Sequence, residues 1–197
     1  QTRDLTEGKP LPLLVSFSLP LMVGNVFQQM YTVVDTAVVG KALGVGALAA
    51  LGASDWLNWM MLGVIQGLTQ GFGIMMAQDF GSRQMDRLRR TIGASAVLSA
   101  IGALVLLAVG QVAIAPILRL LQTPDAIQGD TVLYLRIMFG GVPVVMAYNL
   151  FAGMIRSLGD SKTPLYAMMV ASCVNIGLDL LFVLVFHWGI AGAAAAT

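Results

Sequence analysis

Two aspartates stand where a charge is expensive. Asp35 falls inside the first long apolar stretch of the chain and Asp179 inside the fifth. A charged side chain at the centre of a lone membrane helix costs roughly 3 kcal/mol, so such residues face a partner or a polar cavity. The remaining acids carry no such signal. Asp4, Glu7, Asp79, Asp86, Asp125, Asp130 and Asp160 lie in loops or near span ends, and Asp55 lies near the outer start of the second stretch. Around Asp35, the residues Asn25, Gln28, Gln29, Thr32, Asp35 and Thr36 fall on one arc of about 120° at 100° per residue, with Val23, Val26, Phe27, Val34 and Val38 on the other faces. Ser172, Asn175 and Asp179 repeat the pattern at i, i+3, i+7. Two carboxylates with amides and hydroxyls make a hard-oxygen set, suited to sodium or to a proton. Taken singly, Asn25 or Gln66 has a plainer use as an interhelical hydrogen-bonding group.

Two in-span aspartates also raise the idea of an intramembrane aspartyl protease. Such enzymes pair a Tyr-Asp with a Gly-x-Gly-Asp, whereas here Val34 precedes Asp35 and Asn175-Ile-Gly-Leu precedes Asp179. With a single histidine there is no Ser/His pairing and no metal-ligand cluster, so the chain reads as a non-enzyme without a cofactor. The lone cysteine, Cys173, excludes a disulfide framework within the chain.

The elements that hold these residues follow from composition. Of 197 residues 57% are hydrophobic and only 11% charged, with net charge +1 and mean hydropathy +0.82. A soluble domain carries about a quarter charged residues, so a cytosolic enzyme, a nucleic-acid binder and a disordered region are excluded. A bilayer core of about 30 Å needs about 20 apolar helical residues. Helices are expected at about 11–39, 48–77, 92–118, 132–155 and 164–186, with a sixth over 190–197 that reads as truncated; residues 1–10 form a polar N-terminal segment. Arg3, Lys9, Arg83, Arg87, Arg89, Arg90, Arg156 and Lys162 fall on one side of this arrangement, and Lys41, Arg119 and Arg136 on the other. That asymmetry makes the N-terminus cytoplasmic. At about 1.5 Å per residue, Asp35 is about 22 residues and Asp179 about 15 residues into their spans, both in the outer half, with Thr197 at a comparable level and Asn149 deeper.

Several secondary signals carry structural expectations. Gly67-Leu-Thr-Gln-Gly71, extended by Gly73, is expected to serve close helix packing. Trp56, Trp59 and Trp188 read as interfacial anchors, and Arg83–Arg90 as a topology signal and a lipid-headgroup contact. Pro20, Pro116 and Pro143 are candidate kinks, with Pro20 and Pro143 as bending points of a gate.

The chain resembles the N-terminal half of a MATE (multidrug and toxic compound extrusion) transporter. The resemblance rests on Pro20 to Gly40 with the Tyr-x-x-x-Asp of Tyr31 and Asp35, and on Ala77-Gln-Asp-Phe-Gly81 before the basic loop. It rests further on Arg156-Ser-Leu-Gly-Asp-Ser-Lys-Thr-Pro164 running on to Asn175-Ile-Gly-Leu-Asp179, and on Gly189 to Thr197. It implies an all-α polytopic membrane protein in which this chain is one six-helix lobe of a twelve-helix, two-lobe transporter, the C-terminal lobe being its missing partner. It implies antiport of small organic, often cationic, compounds against Na+ or H+ by alternating access, in a bacterial inner membrane. Carried over by position, the cation site would be Asp35, Asn149, Asn175, Asp179 and Thr197, with sodium expected at Asp35, Asn175 and Asp179. Asn25, Gln28, Gln29, Tyr31, Thr32 and Gln66 are expected to line the substrate cleft. A lipid-linked oligosaccharide flippase of the same superfamily is the alternative; it favours a basic cavity, and Arg136 is the main in-span cation here.

Overall fold

A computed structural model describes residues 10–122 and 124–196, with the side chains of Pro10, Tyr31, Leu43 and Ala126 outside the description. Among the described residues every regular element is helical. The first helical stretch, Pro10–Gly81, is broken at Gly44, whose φ of +83° and ψ of −173° only glycine adopts without strain. It is therefore two spans, α1 (Leu11–Ala42) and α2 (Gly44–Gly81). The loop expected over Gly40–Gly44 thus reduces to a break at one residue, Gly44, whose backbone conformation interrupts the helix. Next come α3 (Met85–Leu120), α4 (Asp125–Gly140) and α5 (Val142–Ser157). The series ends with α6 (Lys162–Asp179), continued by a π-helical segment over Leu180–Val185, and the short α7 (Ile190–Ala196).

The span expected over 132–155 exists but is broken. α4 and α5 meet at 44°. Pro143, in the first turn of α5, has no N–H to give to the carbonyl four residues back and its ring would clash there, so α4 stops at Gly140. The other two candidate kinks behave differently: the backbone stays helical through Pro20, and Pro116 sits inside α3 close to its end. α3 also begins seven residues before the expected Ile92, so the arginine-rich segment is part of a helix rather than a loop. Among the described residues, the non-glycine residues Arg83, Gln122 and His187 take left-handed φ, each just beyond a helical segment, where that conformation closes the last turn.

Small residues set the helix contacts. A Cβ on Gly110 of α3 would fall inside the Phe139 ring of α4, and Gln111 Nε2 donates to the Arg136 carbonyl at 2.9 Å one residue along. Gly73 of α2 and Gly153 of α5 bring two backbones together. Gly67 and Gly71, by contrast, have open space where a Cβ would go, so the expected packing role falls to Gly73 alone. Ile65, Ile114, Leu118, Leu135, Val142 and Met146 fill the middle of this group. Trp56, Trp59 and Trp188 are all exposed.

Candidate functional site: unpartnered oxygens between α1 and α6

α1 and α6 are separated by three spans and so run in the same direction. They touch at Gly24, where a Cβ would lie 3.4 Å from Met168 Sδ and 3.5 Å from Leu165 Cδ1. Asp35 is eleven residues beyond Gly24 and Asp179 eleven beyond Met168. Eleven residues are three helical turns plus about 20°, or about 16 Å of rise, so each acid stays on the facing side and the two advance together. Asp179 is completely buried and Asp35 is 6% exposed.

What surrounds them is short of donors. Both carboxylate oxygens of Asp179, Oδ1 of Asp35 and Oδ1 of Asn175 are buried with no hydrogen-bond partner among the described residues. Asn175, one turn before Asp179, gives its Nδ2 to the Ala196 carbonyl of α7 at 3.0 Å. That bond holds the amide so that its oxygen is left as the free end. Ser172 is buried on the same face but donates to the Met168 carbonyl at 2.8 Å. Four buried acceptor oxygens without donors are what a cation or a proton would complete, because an unsatisfied buried polar group otherwise costs about 1–3 kcal/mol. Directly beyond Asp179 the helix widens into the π segment, in which Phe186 N–H reaches the Leu181 carbonyl at 3.0 Å. Such segments recur at functional sites.

The expected residues divide. Asp35, Asn175 and Asp179 are buried as above. Asn149 is half-buried on α5, and its amide donates to the Val145 carbonyl of its own helix at 2.9 Å; no hydrogen bond links it to the acids among the described residues. Thr197 and the side chain of Tyr31 lie outside the described residues. The polar arc of α1 is split as well. Asp35 and Gln28 occupy one edge of it and turn inward, Asp35 buried and Gln28 half-buried, while Asn25, Gln29, Thr32 and Thr36 are exposed. Asn25 and Gln29 line an open groove of about 470 Å³ with Val26, Met30, Val33 and Val34. Thr32 and Thr36 line a second of about 500 Å³ that ends at Lys41. Gln66 is exposed on α2 and lines neither groove. Arg136, the one in-span cation considered, is exposed.

Two features were not legible in sequence. The Ala196 carbonyl is a backbone group and leaves no side-chain signal. Asp79, read as a loop acid, is only 5% exposed: Thr91 Oγ1 donates to its Oδ2 at 2.6 Å and Arg87 Nε lies 3.4 Å from its Oδ1. The signal available was the pairing of this acid with a Thr and an Arg across a tight turn.

Comparison with known proteins agrees with this architecture. The MatE family model matches residues 20–181. The probable multidrug resistance proteins YpnP and YoeA of Bacillus subtilis are 36% and 32% identical over 98% and 92% of the chain, which covers 44% and 40% of their length. Among solved structures, a MOP superfamily transporter from Pyrococcus furiosus, described as having a binding pocket of reverse polarity, superposes with a TM-score of 0.93 at 27% identity. That match covers 98% of this chain and 43% of the other. An outward-facing multidrug resistance MATE transporter gives 0.92 at 27% identity over 96% of this chain and 42% of the other. The chain thus spans less than half the length of these relatives. With its helical spans, its broken fourth span and these matches, it belongs to the MatE family, whose members are transporters and not enzymes.

Proposed function

We propose that this chain is the N-terminal lobe of a secondary active exporter, and that the oxygens between α1 and α6 bind the cation whose inward movement drives export. The observation that carries the reading is the set of unpartnered buried oxygens on Asp35, Asn175 and Asp179. Asn149 and Thr197 are the further ligands that the family resemblance suggests. The relatives' names supply the cargo class, multidrug compounds, and the hard-oxygen chemistry admits Na+ or H+. The charge asymmetry of the loops supports a cytoplasmic N-terminus in a bacterial inner membrane.

α1 is the element that couples the two ligands in this scheme. Its inward edge carries Asp35, and its exposed face carries Asn25, Gln29 and Thr32 along the open grooves. With the site empty, two like charges repel in a buried space; a bound cation or proton removes that penalty. Any state of α1 that brings Asp35 and Asp179 closer is then favoured by the bound cation, to the extent of its differential affinity for that state. Movement of α1 reshapes the grooves on its opposite face, where a drug would sit. Cation entry from outside therefore favours release of the drug, and cation departure to the cytoplasm favours its rebinding.

The test uses the full-length protein in proteoliposomes. Export of an organic dye is measured under a sodium gradient at fixed pH, and then under a pH gradient without sodium. Dye movement under either gradient, abolished by Asp179→Asn, supports the exporter and names the ion. Movement under both that survives Asp35→Asn and Asp179→Asn overturns the assignment of the site. Movement under neither overturns the exporter reading and makes lipid-linked oligosaccharide flipping the next assay.

A further inference from the structure

The turn between α2 and α3 holds a third buried acid, Asp79, that the transport scheme does not use, together with a concentration of exposed positive charge. Arg83, Arg87, Arg89 and Arg90 are all exposed, against a single exposed acid, Asp86. Arg87 differs from an ordinary surface arginine. Its side chain is 69% exposed, yet its Nε lies 3.4 Å from Asp79 Oδ1 and its Nη1 donates to Gln84 Oε1 at 3.2 Å. Asp79 is in turn fixed by Thr91 at 2.6 Å. The guanidinium is therefore anchored through Nε and Nη1 on a side chain that stays largely exposed, which leaves Nη2 and the second N–H of Nη1, the fork with which arginine grips a phosphate through two parallel bonds. Arg90, three residues on, stands on the same side of α3. Arg89 is 200° away from Arg87 around the helix and points elsewhere.

We infer that Arg87 and Arg90 bind the phosphate of an anionic membrane lipid, and that Asp79 is the positioning residue that holds Arg87 ready for it. The lipid, rather than phosphate from solution, is the source because of where the turn lies. α2 ends at Gly81 and α3 begins at Met85, and both are long and apolar enough to cross a membrane, so the turn that joins them lies on one membrane face, the side on which an anionic leaflet attracts each nearby Arg by about 1 kcal/mol. The corresponding turn between α5 and α6 is not equipped in this way. There Arg156 is half-buried, and the acid, Asp160, turns its oxygens on the start of α6. This inference does not depend on the coupling ion or on the drug.

The experiment is a titration of the full-length protein in detergent with phosphatidylglycerol, and separately with phosphatidylcholine, the bound lipid being counted by native mass spectrometry. Phosphatidylglycerol should be retained the more strongly. Arg87→Gln and Arg90→Gln should each weaken it about tenfold, the loss expected for one charge-assisted pair. Arg87→Lys should fall nearly as far, because the fork is lost although the charge remains. Arg89→Gln should change nothing. The decisive variant is Asp79→Asn, which makes the turn more positive and yet should weaken lipid binding, because Arg87 is released. Gln84→Ala, an exposed change that cannot unfold the helices, should weaken it a few-fold for the same reason. If Asp79→Asn and Gln84→Ala leave binding unchanged or tighten it, or if Arg89→Gln costs as much as Arg87→Gln, the turn is a diffuse charged patch and the positioned site is refuted. Displacement of the lipid by millimolar inorganic phosphate would likewise overturn the lipid assignment.

Discussion

The two buried acid sites of this lobe have opposite endowments. At the turn between α2 and α3, Asp79 is enclosed with its partners: a threonine hydroxyl on one oxygen and a guanidinium on the other. Between α1 and α6, Asp35 and Asp179 are enclosed with each other, and three of their oxygens have no donor among the described residues. Burial is nearly the same in both places, 5% exposure for Asp79 against 6% and 0% for the pair. Burial alone therefore does not separate these acids. The separating quantity is what the neighbours leave unsatisfied: a partnered carboxylate stabilises the fold, whereas an unpartnered one costs stability until something binds.

The largest effect expected from this contrast is a split between function and stability at the pair. Asp179→Asn should reduce gradient-driven export in proteoliposomes to background. The same change removes a buried repulsion, so the thermal midpoint of the purified protein should stay the same or rise. A variant that loses export only because it melts earlier would erase the distinction between the two acid sites. The wild type should also be stabilised by the coupling ion, because a ligand at one hundred times its Kd adds about 2.7 kcal/mol, and Asp179→Asn should lose that increment. If sodium is the ion, thermal midpoints with and without it at constant ionic strength read this directly.

At Asp79 the signs reverse. Asp79→Asn weakens the interaction with Arg87 and the bond from Thr91, so the protein should lose about 1–3 kcal/mol of stability. Export per folded molecule should hardly change, since the residue contacts neither the acid pair nor the grooves on α1. A chemical-denaturant or thermal titration beside the same dye assay decides it. Export lost without any loss of stability would move Asp79 into the transport machinery and break the comparison.

How much of this could be read beforehand differs between the two sites. The acid pair was legible because the membrane makes an in-span charge expensive, so type and depth were enough to single out Asp35 and Asp179, and helical periodicity added Asn175. Asp79 was not legible, because it sits at a span end where an acid is cheap, and its burial comes from a tight turn that folds Arg87 and Thr91 back over it. The spans themselves followed from apolar length. Their interruptions did not: periodicity cannot say that Gly44 alone breaks the first helical stretch into two, or that Pro143 breaks the fourth span while Pro20 leaves the first helical. Periodicity places the polar residues of α1 on one arc, but their division into an inward edge and an exposed face depends on where α6 packs, which is tertiary information. The π segment after Asp179 has no sequence signature in Leu180–Val185.

Asp160 supplies a third grade of partnering and the smallest expected effect. Its Oδ1 accepts the backbone N–H groups of Lys162 and Thr163 at 3.0 and 3.1 Å, and its Oδ2 accepts the Thr163 hydroxyl at 2.7 Å. The N-cap position itself, Ser161, makes no side-chain capping bond, so Asp160 satisfies the first donors of α6 in its place. These bonds, the Thr163 hydroxyl foremost, hold its pKa below the ordinary 3.8. A carboxylate whose pKa is lowered in the folded state contributes stability that is complete above the unfolded value and is lost as the pH falls through the folded one. Asp160→Ala should therefore cost about 1 kcal/mol at neutral pH, as for a helix cap, with no slope between pH 5 and 8. The gap between wild type and variant should narrow only below about pH 4, where the unfolded carboxyl is already protonating. Thermal midpoints of both proteins at pH 7 and pH 3 measure that narrowing. A gap that is unchanged at pH 3 would mean that the bonds to Lys162 and Thr163 do not depend on the charge. Asp160 would then be a neutral turn residue, and the graded series of partnered acids would shrink to the contrast between Asp79 and the pair.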